Sequence, residues 1–201
     1  MNKLQGFYEM ERMGIPVVPW KPFTGDESLD PDLLWSVRVA VQSGYDFNLP
    51  RAIGVTADEA VAYGRKFLAK LSPQDLVVYY PYFIALKSGI LEIQADQTII
   101  EAVNQDLWNL TTLGRKDVTL VINCQNGAVT RYGQADFLTE AEVDELLFYA
   151  QKIRRSHRQY IYAQNSLILE WHYALHTNAH GDRIGEKYLV FTECKSIGDL
   201  E

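Results

Sequence analysis

The spacing of hydrophobic positions changes period several times along the chain, and each change marks an element. In "KLQGFYEMERMG" Leu4, Phe7, Tyr8 and Met10 recur at helical spacing, and the run stops at Gly14, a natural carboxy-terminal cap. "IPVVPW" reads as a short extended piece whose prolines bar it from a sheet centre. After the polar loop "KPFTGDESLDPD", the β-branched alternation of "LLWSVRVAVQ" predicts a strand, and "GYDFNLPRAIG" a turn-rich loop. "TADEAVAYGRKFLAKL" opens on Thr56 with acidic residues in its first turn, which predicts a helix. "DLVVYYPYFIA" predicts a buried strand broken at Pro81, "SGILEIQAD" with "QTIIEAVN" a hairpin, and "VTLVIN" a further strand. "TEAEVDELLFYAQKIRRSH" predicts a long helix, with Thr139 and Glu142 spaced as a capping box. The last two strands alternate clearly. Leu167, Leu169, Trp171 and Tyr173 fall on one side of the first, with Ile168, Glu170, His172 and Ala174 on the other, while the second sends Glu193 and Lys195 out on one face. Hairpins flanked by helices make the fold class α+β rather than a doubly wound parallel sheet.

Composition narrows the functional classes. The chain has 201 residues, 47% hydrophobic and 22% charged, enough for a sizeable core. Its formal charge of -7 argues against nucleic acid or an anionic membrane as the main partner. No apolar run approaches the ~18 residues of a membrane span. The amino terminus carries acidic residues and no apolar core of a signal peptide. These features predict a soluble, cytoplasmic protein. Cys124 and Cys194 read as reduced thiols, isolated from one another.

Three local patterns compete for chemistry. His172, His176 and His180 are spaced by four, which on a helix would gather zinc ligands, but the strand reading separates them. The aromatic run "VVYYPYF" has the side chains of a base-stacking platform, yet the acidic charge makes core and hinge packing the better use. "KIRRSHRQY" is a basic run at a helix end, where it complements the dipole; docking of an acidic partner or a phosphate-bearing group is the alternative.

The order of the segments resembles the nucleotide-binding domain of the phosphoenolpyruvate synthase and pyruvate phosphate dikinase family. "KLQGFYEMERMGIPVVPW" is similar to that family's opening lysine, short helix, glycine and Pro-Val-Pro turn. "WSVRVA" resembles its Val-Arg strand, "DLVVYYPYFIALKSGILEI" its hinge and Ser-Gly strands, and "IIEAVNQDLWNLTTLGR" the segment that follows. "ILEW" and "ECKSI" fall where the family has an acidic strand motif and a Gln-x-Arg-Pro-Ile ending. The resemblance spans nearly the whole chain in collinear order.

It implies an ATP-grasp-like fold of two mixed or antiparallel sheet lobes with flanking helices, in one compact domain. One lobe would comprise roughly residues 1–75 with 137–201, and the other 76–136. It implies ATP and Mg²⁺ as cofactors. Lys3, Arg38 and Arg51 would contact phosphates, and Val78, Tyr80 and Tyr82 of the hinge would hold adenine. Glu170 and Glu193 would bind the metal, with Arg38 and Lys195 as catalytic cations. If the last two strands pair antiparallel, Glu170 lies opposite Glu193, and two like charges so close call for a cation between them. By the residues alone, Glu and Lys side chains on neighbouring strands are more often a cross-strand surface pair worth under ~1 kcal/mol.

The chain departs from the family in places. Ile168 stands where the family has an acid, Glu193 and Lys195 replace its glutamine and arginine, and "QSGYDFNLPRAIG" replaces its Gly/Ser-rich phosphate loop. The swivelling phosphohistidine domain and the pyruvate barrel of a dikinase do not fit in this length. The resemblance therefore implies a phosphotransferase-like module that binds a nucleotide and acts on a separate phosphoacceptor protein or domain. The alternative is a non-catalytic relative that binds a nucleotide or partner as a regulatory or assembly component.

Overall fold

In a computed structural model describing residues 1–43 and 48–198, the amino-terminal helix α1 (Lys3–Met13) starts and stops on local chemistry. The Asn2 side chain accepts from the Gln5 backbone and the Gln5 side chain returns to the Asn2 backbone, while Gly14 ends the helix at φ 62°. Leu4, Phe7, Met10 and Met13 form its buried face.

Four strands, β1 (Lys21–Pro22), β2 (Trp35–Ala40), β3 (Arg51–Val55) and β4 (Leu76–Pro81), form an antiparallel sheet in the order β1-β4-β2-β3. Helix α2 (Ala57–Leu68), capped by Thr56 and Glu59, covers one face, where Trp35, Val37, Val39 and Val77 pack with Ala57 and Ala60. The alternate residues Ala40, Val78 and Tyr80 point the other way and join the main core. The segment expected as a loop is strand from Arg51 onward. It is an edge strand in which Ala52 alone is buried, so its sequence lacks the apolar alternation of a central strand. Residues 44–47, the middle of the expected phosphate-covering loop, lie outside the described residues.

Tyr82 carries the chain from the first sheet to the second. Its backbone N–H donates to the Leu34 carbonyl and its carbonyl accepts from Thr177 Oγ1. The second sheet is antiparallel throughout, with the order β10-β9-β5-β6-β7-β8, from β5 (Phe83–Ile93), β6 (Gln97–Asn104), β7 (Val118–Asn123), β8 (Val129–Gly133), β9 (Ser166–Thr177) and β10 (Arg183–Ile197). Three helices, α3 (Trp108–Thr111), α4 (Glu140–Ser156) and α5 (Arg158–Tyr162), complete the chain. One face of this sheet packs Leu91, Ile100, Leu120 and Leu169 against Leu146 and Ile153 of α4. Two glycines allow close approach there. A Cβ at Gly6 would meet the Cys194 carbonyl at 2.7 Å, so glycine lets α1 lie against β10, and one at Gly89 would strike the Trp171 ring at 2.3 Å.

Candidate functional site

The register of the last hairpin sets Glu193 directly opposite Glu170, with Lys195 opposite Ile168. The same rows continue across the sheet, with Ile90 and Glu101 beside Glu170 and with Glu92 and Ile99 beside Ile168. These side chains share the face opposite the one that α4 covers.

Lys3, the first helical residue of α1, is brought to this hairpin by the packing of α1 on β10. The Asn2 amide also donates to the Gln42 carbonyl, which ties the start of α1 to the chain leaving β2. The Lys3 ammonium pairs with Glu193 Oε2, and Lys195 Nζ lies 2.6 Å from Glu193 Oε1. Glu193, expected to point outward, is therefore buried, because a helix from the opposite end of the chain covers it. Glu170 is half-buried and accepts no hydrogen bond among the described residues.

The first sheet supplies the rest of the cluster. Arg38 Nη1 donates to the Tyr80 hydroxyl at 3.4 Å, and Arg38 Nε is buried with no hydrogen-bond partner. Val78 is the direct cross-strand neighbour of Arg38 on one side and Arg51 on the other. Val78 is fully buried, whereas Arg51 is exposed at the sheet edge. Tyr82 stands apart from the charges, its ring stacked on Phe83 and lying against Gly54. The structure thus gathers Lys3, Arg38, Tyr80, Glu170, Glu193 and Lys195, sets Arg51 beside Arg38, and leaves Tyr82 at the link between the sheets.

The charges in this cluster perturb one another. Burial pushes the Lys3 ammonium below its usual pKa, and the Arg38 guanidinium pushes it the same way. Burial and the facing Glu193 push the Glu170 carboxyl up, against the pull of Lys3, Lys195 and Arg38. Burial would raise Glu193 too, but Lys3 and Lys195 outweigh it and hold that carboxyl low. Arg38 stays charged, since burial is outweighed by Tyr80, Glu193 and Glu170. Among the described residues, Lys3, Arg38 and Lys195 thus act on Glu170 and Glu193, and of the two carboxyls Glu170 is biased toward its neutral form.

Sequence reasoning missed two contributors. Gly6 carries a signal, since glycine inside a helix costs about 1 kcal/mol unless close packing needs it. The buried network of His172 had none. Its Nδ1 lies 2.8 Å from Ser88 Oγ and its Nε2 3.0 Å from Thr192 Oγ1, and burial lowers its pKa to about 4. That network spends His172 on strand-to-strand bonding. His176 stacks on Tyr188, and no group of three potential metal-ligating His, Cys, Asp or Glu residues occurs among the described residues.

No family model and no curated protein matches the chain. Solved structures do. N5-carboxyaminoimidazole synthetase from Staphylococcus aureus complexed with ADP is 14% identical with a TM-score of 0.52, over 96% of this chain and 43% of that one. A second structure of the Staphylococcus aureus enzyme gives 12% identity and a TM-score of 0.50 over the same shares. An L-amino acid ligase from Bacillus licheniformis is 14% identical with a TM-score of 0.45, over 96% of this chain and 39% of that one. The chain spans less than half the length of these proteins. The class is an α+β fold of two antiparallel sheets with flanking helices, and it is the ATP-grasp fold.

Proposed function

We propose that the chain is an ATP-binding, phosphotransferase-like ATP-grasp module, related to the nucleotide domain of phosphoenolpyruvate synthase and pyruvate phosphate dikinase, whose phosphoacceptor is a separate protein or domain. The observation that carries the reading is the orphaned Nε of Arg38, a buried charged donor with no hydrogen-bond acceptor among the described residues, close to the Lys3, Glu193 and Lys195 ion pairs. A buried guanidinium donor left unmatched costs about 1–3 kcal/mol, which an anionic ligand would recover. Arg51, directly across the strand pair, adds a second cation on the same face. In this reading Arg38, Arg51, Lys3 and Lys195 hold phosphate oxygens. Val78, Tyr80 and Tyr82 form the wall nearest the base, and the neighbouring protein class includes an enzyme solved with ADP.

Of the two carboxylates, Glu170 is open to a divalent cation, whereas Glu193 would share with it oxygens that now meet lysines. Glu170 lacks a hydrogen-bonded partner and faces Glu193, and hard oxygen ligands are what magnesium takes. Mg²⁺ held by Glu170 and Glu193 would supply charge neutralisation between phosphate oxygens. The chain's own contribution is positional. Lys3 arrives on a helix, Arg38 and the carboxylates on strands, so each is held by regular structure where charge moves during phosphoryl transfer.

A specific observation favours a second reading, a non-catalytic nucleotide or partner binder acting in regulation or assembly. Both oxygens of Glu193 are already engaged by lysines, and Ile168 stands in the adjoining row where an acid is expected. Calorimetric titration with ATP and AMP, with and without Mg²⁺, on the parent and on Arg38→Ala tests the proposal. The variant is expected to lose ATP affinity about 10-fold or more, the worth of a charge-assisted bond, while AMP changes little. Equal losses for both nucleotides would remove the phosphate assignment, and no binding by the parent would remove both nucleotide readings.

A further inference from the structure

Away from the charged hairpin, the basic run at the end of α4 lines a cavity of about 630 Å³. It lies on the other face of the large sheet, where Thr98 and Ile122 are cross-strand neighbours under α4. Its floor is apolar, from Ala95, Ile122, Leu147 and Ala150, and its rim carries Arg154, Arg155, Arg158 and the amides of Asn123, Gln125 and Gln151. No Asp or Glu is among its described lining residues, although the chain carries a net charge of -7.

Two of the three arginines, Arg154 and Arg158, differ from an ordinary solvated helix end. Arg154 is fixed by the protein: Nε donates to the Gln94 carbonyl at 3.2 Å, and Nη2 to the Gln97 carbonyl at 3.1 Å and to Thr98 Oγ1 at 2.7 Å. All of its partners are neutral, so its charge stays uncompensated while its direction is set. Arg158 lies over the Tyr162 ring with its guanidinium carbon 5.6 Å from the centroid, which limits its freedom in turn. None of the three forms an ion pair with a carboxylate among the described residues. Guanidinium groups without paired carboxylates, two of them held in direction as Arg154 and Arg158 are, match oxyanions in paired, bidentate geometry. The volume lies in the range of small-molecule sites.

We infer that this cavity is a second ligand site, separate from the charged hairpin, for a small organic anion bearing at least two oxyanionic charges, as phosphoryl or carboxylate groups. The apolar floor receives the body of the ligand and the three arginines receive its charged groups. Because the site lies on the opposite face of the sheet, it stands independently of any nucleotide reading.

Cys124 gives a local readout. It lines the cavity and is exposed, whereas Cys194 is buried, so a neutral alkylating reagent reports on this site. The experiment measures the rate at which iodoacetamide alkylates Cys124 in the full chain, at constant ionic strength set with sodium chloride. Pyrophosphate serves as the phosphoryl probe and citrate as the carboxylate probe, each on the parent and on the Arg155→Glu, Arg158→Glu double variant. Both substituted residues are exposed, so the fold is expected to survive. The expected result is a threefold or greater slowing in the parent by at least one probe, saturable at millimolar concentration and absent in the variant. Slowing by pyrophosphate alone assigns phosphoryl groups, and slowing by citrate alone assigns carboxylates. Unchanged rates with both probes would overturn the inference, as would equal slowing in parent and variant.

Discussion

Glu142 and Glu170 are two carboxylates withdrawn from solvent into opposite circumstances. Glu142, at the third position of α4, caps the helix through the Thr139 backbone and accepts from Lys87 at 2.7 Å and Lys187 at 2.8 Å. Burial would raise its pKa, but the hydrogen bonds from Lys187, Lys87 and Thr139 win and hold it at about 2. A depressed folded-state pKa means stability that is present above the usual 4.5 and lost as pH falls toward 2. Glu142→Gln is therefore expected to cost about 2 kcal/mol at pH 7, with the gap to the parent closing between pH 4.5 and 2. Urea unfolding across that range checks it, and a gap constant with pH would show that the ion pairs contribute nothing. Glu170 should behave with the opposite sign. Its carboxyl is pushed up by burial and by Glu193, so its charged form disfavours folding as pH rises above the usual 4.5. Glu170→Gln is expected to raise stability at pH 7 by about 1 kcal/mol, the size typical where a functional group is held against its preference. Loss of stability in that variant would mark Glu170 as a structural residue.

Among the elements, α1, α2 and α4 were readable because their signals are local: apolar spacing and Gly14 for α1, Thr56 with an acidic first turn for α2, and Thr139 with Glu142 for α4. The final hairpin was readable in its pairing as well, since Glu170 does face Glu193. Strands β3 and β8 were not, because edge strands need no apolar alternation and β8 is exposed along its whole length. The burial of Glu193 was also hidden, for its cover is α1, whose Lys3 lies 190 positions earlier in the chain. Gly6 makes that cover possible, and it yields a prediction at this scale. In an ordinary helix interior Gly→Ala gains roughly 0.5–1 kcal/mol. Here the added Cβ would meet the Cys194 backbone carbonyl at 2.7 Å, which cannot rotate away, so α1 must move off β10 and Lys3 must move away from Glu193. Gly6→Ala is expected to destabilise by about 1–3 kcal/mol, read by thermal unfolding. An increase in stability would mean that α1 does not sit tightly on the hairpin.

On the scale of the whole molecule, the charged cluster is where the two sheets and the first helix meet. Arg38 and Tyr80 come from one sheet, Glu170, Glu193 and Lys195 from the other, and Lys3 from α1, with Tyr82 as the covalent link between sheets. A ligand held by all of them would bind the folded arrangement alone and stabilise it by mass action, about 2.7 kcal/mol at a hundredfold excess over Kd. For a chain of this size that is a rise in Tm of roughly 5–10 °C. The gain should need both halves of the cluster. Arg38→Ala should remove most of it by taking a phosphate contact from the first sheet. The Glu170→Gln, Glu193→Gln pair should remove the dependence on Mg²⁺ by taking the proposed metal ligands from the second. Because the two carboxylates would act on one ion, the double replacement should add little to the worse single one. The measurement is a melting series with ATP, ADP and AMP, with and without Mg²⁺, on the parent and these four variants. A Tm unmoved by millimolar Mg-ATP in the parent, or moved equally in Arg38→Ala, would mean that the cluster is an internal clamp between the sheets rather than a phosphate site.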